Sequence, residues 1–294
     1  MRKAFLQMHI AIVLWGFTAI LGKAIQLDEG LLVWYRMLLS ALAMGIFLVL
    51  KKKFEKISWK QLGRLSLIGL IITLHWITFY GAIKASNVSV AIVCFSSVSL
   101  FTAILDPLSK GIRPKITELF LSLIAMLGIY YIFSVQQLYY KGIILSLISA
   151  FLAAVFSIMN KNISNKINPG TITFYELGTG FLLLTLLLPV WFSINNSSFQ
   201  LPSTMDFIYL LILGVICTTF AFTLSLYALQ KIDTFTMNLS LNLEPIYSII
   251  LAIIIFKEHE LLGIQFYIGS LIIFSSIVLH GILLMRDRRN RIRS

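Results

Sequence analysis

GTITFYELGTGFLLLTLLLPVWF, residues 170–192, decides the fold, and its core, LLLTLLLPV over 182–190, is apolar at successive positions. A strand of a membrane barrel alternates apolar with polar residues. A segment apolar on every side has no wet face, so it reads as a helix surrounded by apolar partners. About 20 helical residues cover the roughly 30 Å of hydrocarbon in a bilayer, and this segment has that length.

Outward from this stretch the same signal repeats, near 5–24, 31–50, 65–83, 88–108, 116–134, 142–160, 206–229, 234–256 and 263–284. With 170–192 the runs predict ten transmembrane helices and an all-α membrane protein. Hydrophobic residues make up 59% of the 294, charged residues only 12%, and the mean hydropathy is +0.91. Roughly a quarter of a soluble chain is charged, so lipid is the solvent that this composition fits. The opening run after Met1, Arg2 and Lys3 continues past Trp15 without a small-residue cleavage site, so it is read as the first span and not as a signal peptide.

The charge pattern sets an orientation. With the N-terminus inside, 19 of the 24 Lys and Arg fall on inner segments, four (Lys23, Lys84, Lys141 and Lys257) on outer ones, and Arg36 lies within a span. Positive loops stay cytoplasmic, so both termini are expected inside. The net charge of +12 is spread over six segments beside membrane spans, where anionic lipid is the near partner; no nucleic-acid partner is expected. Cys94 and Cys217 lie in apolar runs without metal or disulfide spacing.

Ten spans divide into two fives, and an odd-numbered repeat enters the membrane the second time inverted. Ala82 to Ser99 and Ala228 to Pro245 share an offset of 146 residues, with similar short loops. The expected units are 1–136 and 137–294, the second carrying a basic cytoplasmic tail.

Leu14, Trp15 and Gly16; Trp34, Tyr35 and Arg36; Tyr80 to Lys84; and Leu243, Glu244, Pro245 and Ile246, followed by Glu258, stand in a characteristic order and spacing. Together they resemble the drug/metabolite transporter superfamily and within it the EamA family of ten-helix bacterial permeases. The first half departs from the pattern, with Ser99 where proline is usual and Ile112 where a late Glu is usual, so span 4 is expected to be less kinked than span 9. The resemblance implies a multi-pass protein of the bacterial inner membrane. It also implies a small organic solute as partner, often an amino acid or related metabolite and often exported; lipid or nucleotide-sugar carriage in the wider superfamily is the alternative.

Ionisable residues inside a membrane cost about 2.5 to 3.5 kcal/mol on insertion scales, so each calls for a reason. Glu244 precedes Pro245, whose ring removes a backbone donor and frees the Leu241 carbonyl, and Asn238 and Asn242 lie one turn apart beside it. Polar groups and a free carbonyl thus converge at the depth where transporters bind solute. His75 and Trp76 occupy mid-span 3. Span 1 offers Ala11, Trp15, Thr18 and Gly22, span 4 offers Ser89, Ser96, Ser99 and Ala103, and span 6 offers Ser146, Ser149, Ala153, Ser157 and Asn160; such faces serve helix packing or a cavity.

The candidate solute-binding set is Trp15, His75, Trp76, Ser96, Ser99, Asn238, Asn242 and Glu244, with Pro245 as the kink. Arg36, a few residues into span 2, is expected to snorkel outward or pair with Asp28 or Glu29. Glu176, a few residues into span 7 from the other side, is expected to meet Lys161 or Lys166, giving gating or structural ion pairs.

Metalloprotease, nucleotide-binding and serine-hydrolase motifs are absent, and the loops are too short for a catalytic domain, so no enzyme, cofactor or metal is expected. A channel or receptor is a further alternative that motifs do not exclude, although a channel would need a selectivity ring and none is recognised here. Energy then comes from the solute gradient or from an ion gradient, with Glu244 or His75 able to bind a proton.

Overall fold

The computed structural model describes residues 1–86, 88–133, 139–244, 246–247 and 264–293, and every regular element among them is helical. In chain order these are α1 (Arg2–Ala24), α2 (Glu29–Leu50), α3 (Trp59–Ala85), α4 (Val88–Phe95), α5 (Val98–Ser109), α6 (Ile116–Phe133), α7 (Tyr140–Ile163) and α8 (Pro169–Asn195). Then follow α9 (Thr204–Leu211), a π-helical segment (Ile212–Phe220), α10 (Ala221–Leu229), α11 (Thr234–Ser240), a 3-10 turn (Leu241–Leu243) and α12 (Ile264–Arg293).

Among the described residues six helices are long and apolar enough to cross a membrane: Arg2–Ala24, Glu29–Leu50, Trp59–Ala85, Tyr140–Ile163, Pro169–Asn195 and the run Thr204–Leu229. Val98–Ser109, Ile116–Tyr131 and Tyr267–Leu283 are shorter apolar helices, and the latter part of the expected span 9 lies outside the described residues.

Polar residues mark the ends of these helices, where the first N–H groups have no intrahelical partner. Asp28 accepts the Leu31 N–H at 3.0 Å, Ser58 and Gln61 form a capping box, Asn168 precedes a proline at the first position of α8, and Asp233 accepts the Thr236 N–H at 2.8 Å. The helix bodies sort their side chains in the sense lipid demands. Leu186, Leu271 and Leu127 point outward with 75%, 68% and 62% exposure, while Ser146, Ser149, Ala153, Ser157 and Asn160 of α7 are all buried. An apolar solvent leaves large apolar residues no reason to hide, so small and polar ones line the contacts between helices.

Helix α3 holds the centre, packed on α1, α2, α4, α7 and α8. At its crossing with α8 two glycines allow backbone to meet backbone. A Cβ on Gly69 would fall 2.3 Å from the Glu176 carbonyl oxygen, and one on Gly180 would fall 2.9 Å from that of Gly69. No side chain fits there unless the helices part.

Two helices are broken beside the centre. Span 4 stops at Phe95 and restarts at Val98, a sharper interruption than the missing proline led us to expect. Serine hydroxyls supply the alternative: Ser97 Oγ donates to the Cys94 carbonyl at 2.7 Å and Ser99 Oγ to that of Ser96 at 3.2 Å, competing with the regular ladder. In span 9 the α-helix gives way to the 3-10 turn at Leu241, where the expected break falls; Pro245 itself lies outside the described residues.

The π-helical segment interrupts the apolar run 206–229, where the sequence carries no proline. Thr218 Oγ1 and Thr219 Oγ1 donate to the carbonyls five residues earlier, of Leu213 at 2.7 Å and Gly214 at 2.9 Å. Widened turns of this kind recur at functional sites.

Candidate functional site

The helices enclose a central cavity whose empty space, counted out through its open mouth, is about 770 Å³. Its aromatic walls are Trp15, Trp76, Phe79, Phe95, Phe156 and Phe222, joined by aliphatic residues such as Leu226 and Met237, and its polar groups include Thr18, Arg36, His75, Asn160, Asn238 and Glu244. One cation and one carboxylate therefore share a largely aromatic chamber.

Arg36 is only 2% exposed and turns inward from α2, so it neither snorkels nor pairs with Asp28 or Glu29 as the sequence suggested. Its Nε donates to Thr218 Oγ1 and its Nη1 to the Tyr80 hydroxyl, each at 2.7 Å, and its Cζ lies 3.8 Å from the centroid of the Trp76 ring. The π-helical segment makes this possible. Thr218 accepts from Arg36 while giving its own hydrogen to Leu213, and Ser40, one turn along α2, meets the Gly214 carbonyl at 2.7 Å. Tyr80 is held in turn by α1, where Gly22 leaves room for its ring: a Cβ there would fall 2.1 Å from Tyr80 Cε1.

His75 is packed among Phe79, Phe95 and Phe156, with ring centroids 5.4 to 6.2 Å away. Its Nδ1 lies 3.0 Å from the Ser149 carbonyl, which can only accept, so the hydrogen is assigned to Nδ1 and Nε2 becomes the acceptor nitrogen. Glu244, 7% exposed, borders the cavity and acts electrostatically with Arg36.

The predicted residues divide among three places. Trp15, His75, Trp76, Asn238 and Glu244 meet in the chamber. Ser96 and Asn242 line a smaller crevice of about 240 Å³ beside it, which also touches Glu244. Ser99 borders neither; it accepts from Asn242 Nδ2 at 3.3 Å and donates to Ser96, tying the two helix breaks together. Asn238 makes a parallel tie, donating to Thr102 Oγ1 at 2.7 Å.

Glu176 stands just behind the wall, fully buried, and accepts from Asn160 Nδ2 at 3.3 Å. Neither lysine expected as its partner, Lys161 or Lys166, forms an ion pair with it among the described residues, and the Lys161 ammonium donates instead to the carbonyls of Leu229 and Ile232 at the end of α10.

Sequence reading placed Thr18, Ser157 and Asn160 on helix stripes without singling them out, and it passed over Phe79, Phe95, Phe156 and Phe222. A phenylalanine in a hydrophobic span carries no signal of facing a cavity instead of lipid. The placement of Arg36 had one available clue: an arginine amid apolar residues is too costly to leave without inward partners.

The model described as the EamA-like transporter family matches this chain twice, over residues 2–134 and 140–282. Two proteins of Archaeoglobus fulgidus, each named "uncharacterized transporter", are similar along their length. One is 27% identical over 87% of this chain and 90% of its own, and the other is 24% identical over 87% and 91%. A solved crystal structure superposes with a TM-score of 0.78 at 14% identity, covering 96% of this chain and 98% of that one, a likeness of fold.

Proposed function

The chain belongs to the EamA-like transporter family, and from that premise we propose that it is a secondary carrier of amino acids or closely related zwitterions, working by alternating access around the central chamber. The observation that carries this reading is Arg36 and Glu244 on the wall of one aromatic cavity. An amino acid bears an anion and a cation on a single carbon skeleton. The free donors of the guanidinium suit its carboxylate, and Glu244 with the Asn238 amide suits its ammonium. Trp15, Phe156 and Phe222 suit an apolar side chain.

Alternating access draws support from the helix breaks. The offset of 146 residues maps Ser96 onto Asn242, so both interruptions fall at matching places in the two halves. Together with the twofold family match, this supports two five-helix repeats, 1–136 and 137–294, related by an axis in the membrane plane. Broken helices meeting at a site give each half a joint about which to rock.

Counterflow in proteoliposomes tests the carrier. Vesicles loaded with unlabelled L-phenylalanine should draw in labelled L-phenylalanine transiently above its outside level, and L-glucose-loaded vesicles should not. Flux without that overshoot points to a channel, and no flux with a panel of L-amino acids refutes the solute class. Export, the direction that the resemblance implies, predicts faster loss of preloaded label from cells that overproduce the chain; slower loss would refute it.

For orientation, the partition of basic residues supports cytoplasmic termini in a cell membrane and an external loop around 196–203. Ser198 is exposed in that loop. With Cys94 and Cys217 replaced by serine, Ser198→Cys should react with an impermeant thiol reagent in intact cells; labelling seen only after lysis reverses the topology.

A further inference from the structure

Behind the chamber wall lies a pair of side chains with complementary gaps. Glu176 of α8 is 0% exposed and Asn160 of α7 is 1% exposed. The Asn160 amide donates to Glu176 Oε2, and the other two oxygens, Glu176 Oε1 and Asn160 Oδ1, are buried without a hydrogen-bond partner among the described residues. A carboxylic acid and a primary amide can satisfy each other through two bonds, N–H to C=O one way and O–H to C=O the other. Half of that ring is present. A proton on Glu176 Oε1 turns one unmet acceptor into a donor, for which Asn160 Oδ1 is a buried acceptor still without a partner.

We propose that Glu176 and Asn160 form a proton-binding site of the transport cycle, opening onto the solute chamber through Asn160. The inference rests on the carrier reading for its role in the cycle, while the site itself rests on the pair alone. The neutral acid is the form that the surroundings fit. An ionised carboxylate here would have one neutral amide for compensation in a buried setting, an arrangement that proteins avoid. The groups packed around it offer no alternative. Asn160 faces it from α7, α3 meets α8 here with Gly69, and among the described residues no charged side chain of α2, α3, α7 or α10 acts on the carboxyl.

Asn160 is the link to function, because the same side chain borders the chamber that holds Glu244, Arg36 and His75. When water or solute reaches Asn160 and draws its amide away, the O–H of Glu176 loses its acceptor, and the proton passes to water in the chamber, leaving a carboxylate. Closing the chamber restores the pair and takes a proton back. Solute access and protonation thereby exclude each other, which is the condition for exchange of a solute against a proton.

Infrared difference spectra of the full chain in liposomes, between mildly acidic and alkaline buffer, read the site without any solute. A carboxylic-acid C=O band should appear that Glu176→Gln removes, Glu244→Gln leaves in place and Asn160→Leu moves to higher frequency, since the hydrogen-bond partner is gone. An unchanged band in both Glu176→Gln and Asn160→Leu overturns the proposal, as does a band that follows sodium at constant pH.

Coupling is read with labelled L-phenylalanine. A pH difference of one unit should drive about tenfold accumulation by one-for-one exchange in the wild type. In Glu176→Gln, whose amide can still pair with Asn160, counterflow should persist and accumulation should fall to the equilibrium level. Retained accumulation in that variant overturns the coupling role. A wild type without any phenylalanine flux refutes the solute assignment, and the infrared band still decides the site.

Discussion

Arg36→Lys should reduce transport by about 100-fold, or about 2.7 kcal/mol, although it conserves charge. The guanidinium is held from three directions at once, by Thr218 of the π-helical segment, by Tyr80 of α3 and by the face of Trp76. Hydrogen bonds to a charged group contribute about 1.5 to 3 kcal/mol each, and a desolvated cation–π contact about 2 kcal/mol. A lysine ammonium is a compact point charge that cannot present a flat ring-stacking face and a side-on donor together. Its charge would sit elsewhere in the chamber, away from the position proposed to receive a solute carboxylate. The signature is selectivity. The variant should discriminate less between L-phenylalanine and phenethylamine, which lacks the carboxylate, as read by competition against labelled phenylalanine uptake. Thermal unfolding of the purified variant separates this effect from misfolding, and wild-type competition ratios in a well-folded variant would refute the assignment of Arg36.

Glu244→Gln is the mirror experiment. The amide keeps the shape and hydrogen-bonding capacity of the side chain and removes its charge, leaving Arg36 as the charged group of the chamber wall. The substitution removes the negative charge proposed to meet the solute ammonium, and a hydrogen bond to a charged group contributes about 1.5 to 3 kcal/mol, so uptake of L-phenylalanine should fall by about 10- to 100-fold. Phenylpropionate, which has no ammonium, should compete relatively better in the variant than in the wild type. A glutamate that only glues helices together would tolerate the amide, and unchanged uptake with unchanged competition would fit that role and exclude a solute contact.

Hydropathy placed the helices well because it sums a property that each residue carries alone. The run expected at 5–24 is the body of α1, and that at 170–192 lies within α8. The motif residues around Trp15, Arg36, Tyr80 and Glu244 sufficed for the family, which the comparison shows. Glu244, His75, Trp15, Trp76 and Asn238 were legible as chamber residues because polar or bulky side chains in mid-span need a reason, and a cavity provides one.

The path of Arg36 shows where that reasoning ends. Depth along a helix can be counted from sequence, but the direction a side chain takes depends on which neighbours offer partners. Tyr80 becomes one because Gly22 leaves space for its ring, and Thr218 because the π-helical segment widens. The break after Phe95 had the same hidden origin, in serine hydroxyls that compete for backbone carbonyls where no proline stands.

By itself, then, the sequence determined that this chain is a helical membrane protein of the EamA-like family and which polar residues lie deep within its spans. Tertiary structure alone decided that Arg36 faces Glu244 across an aromatic chamber, that Ser96, Ser99 and Asn242 join two helix breaks, and that Glu176 meets Asn160. The physical reason is that transfer into lipid is a sum over single residues, whereas the meeting of two side chains is set by the rotation and crossing of whole helices, which every packed contact decides together.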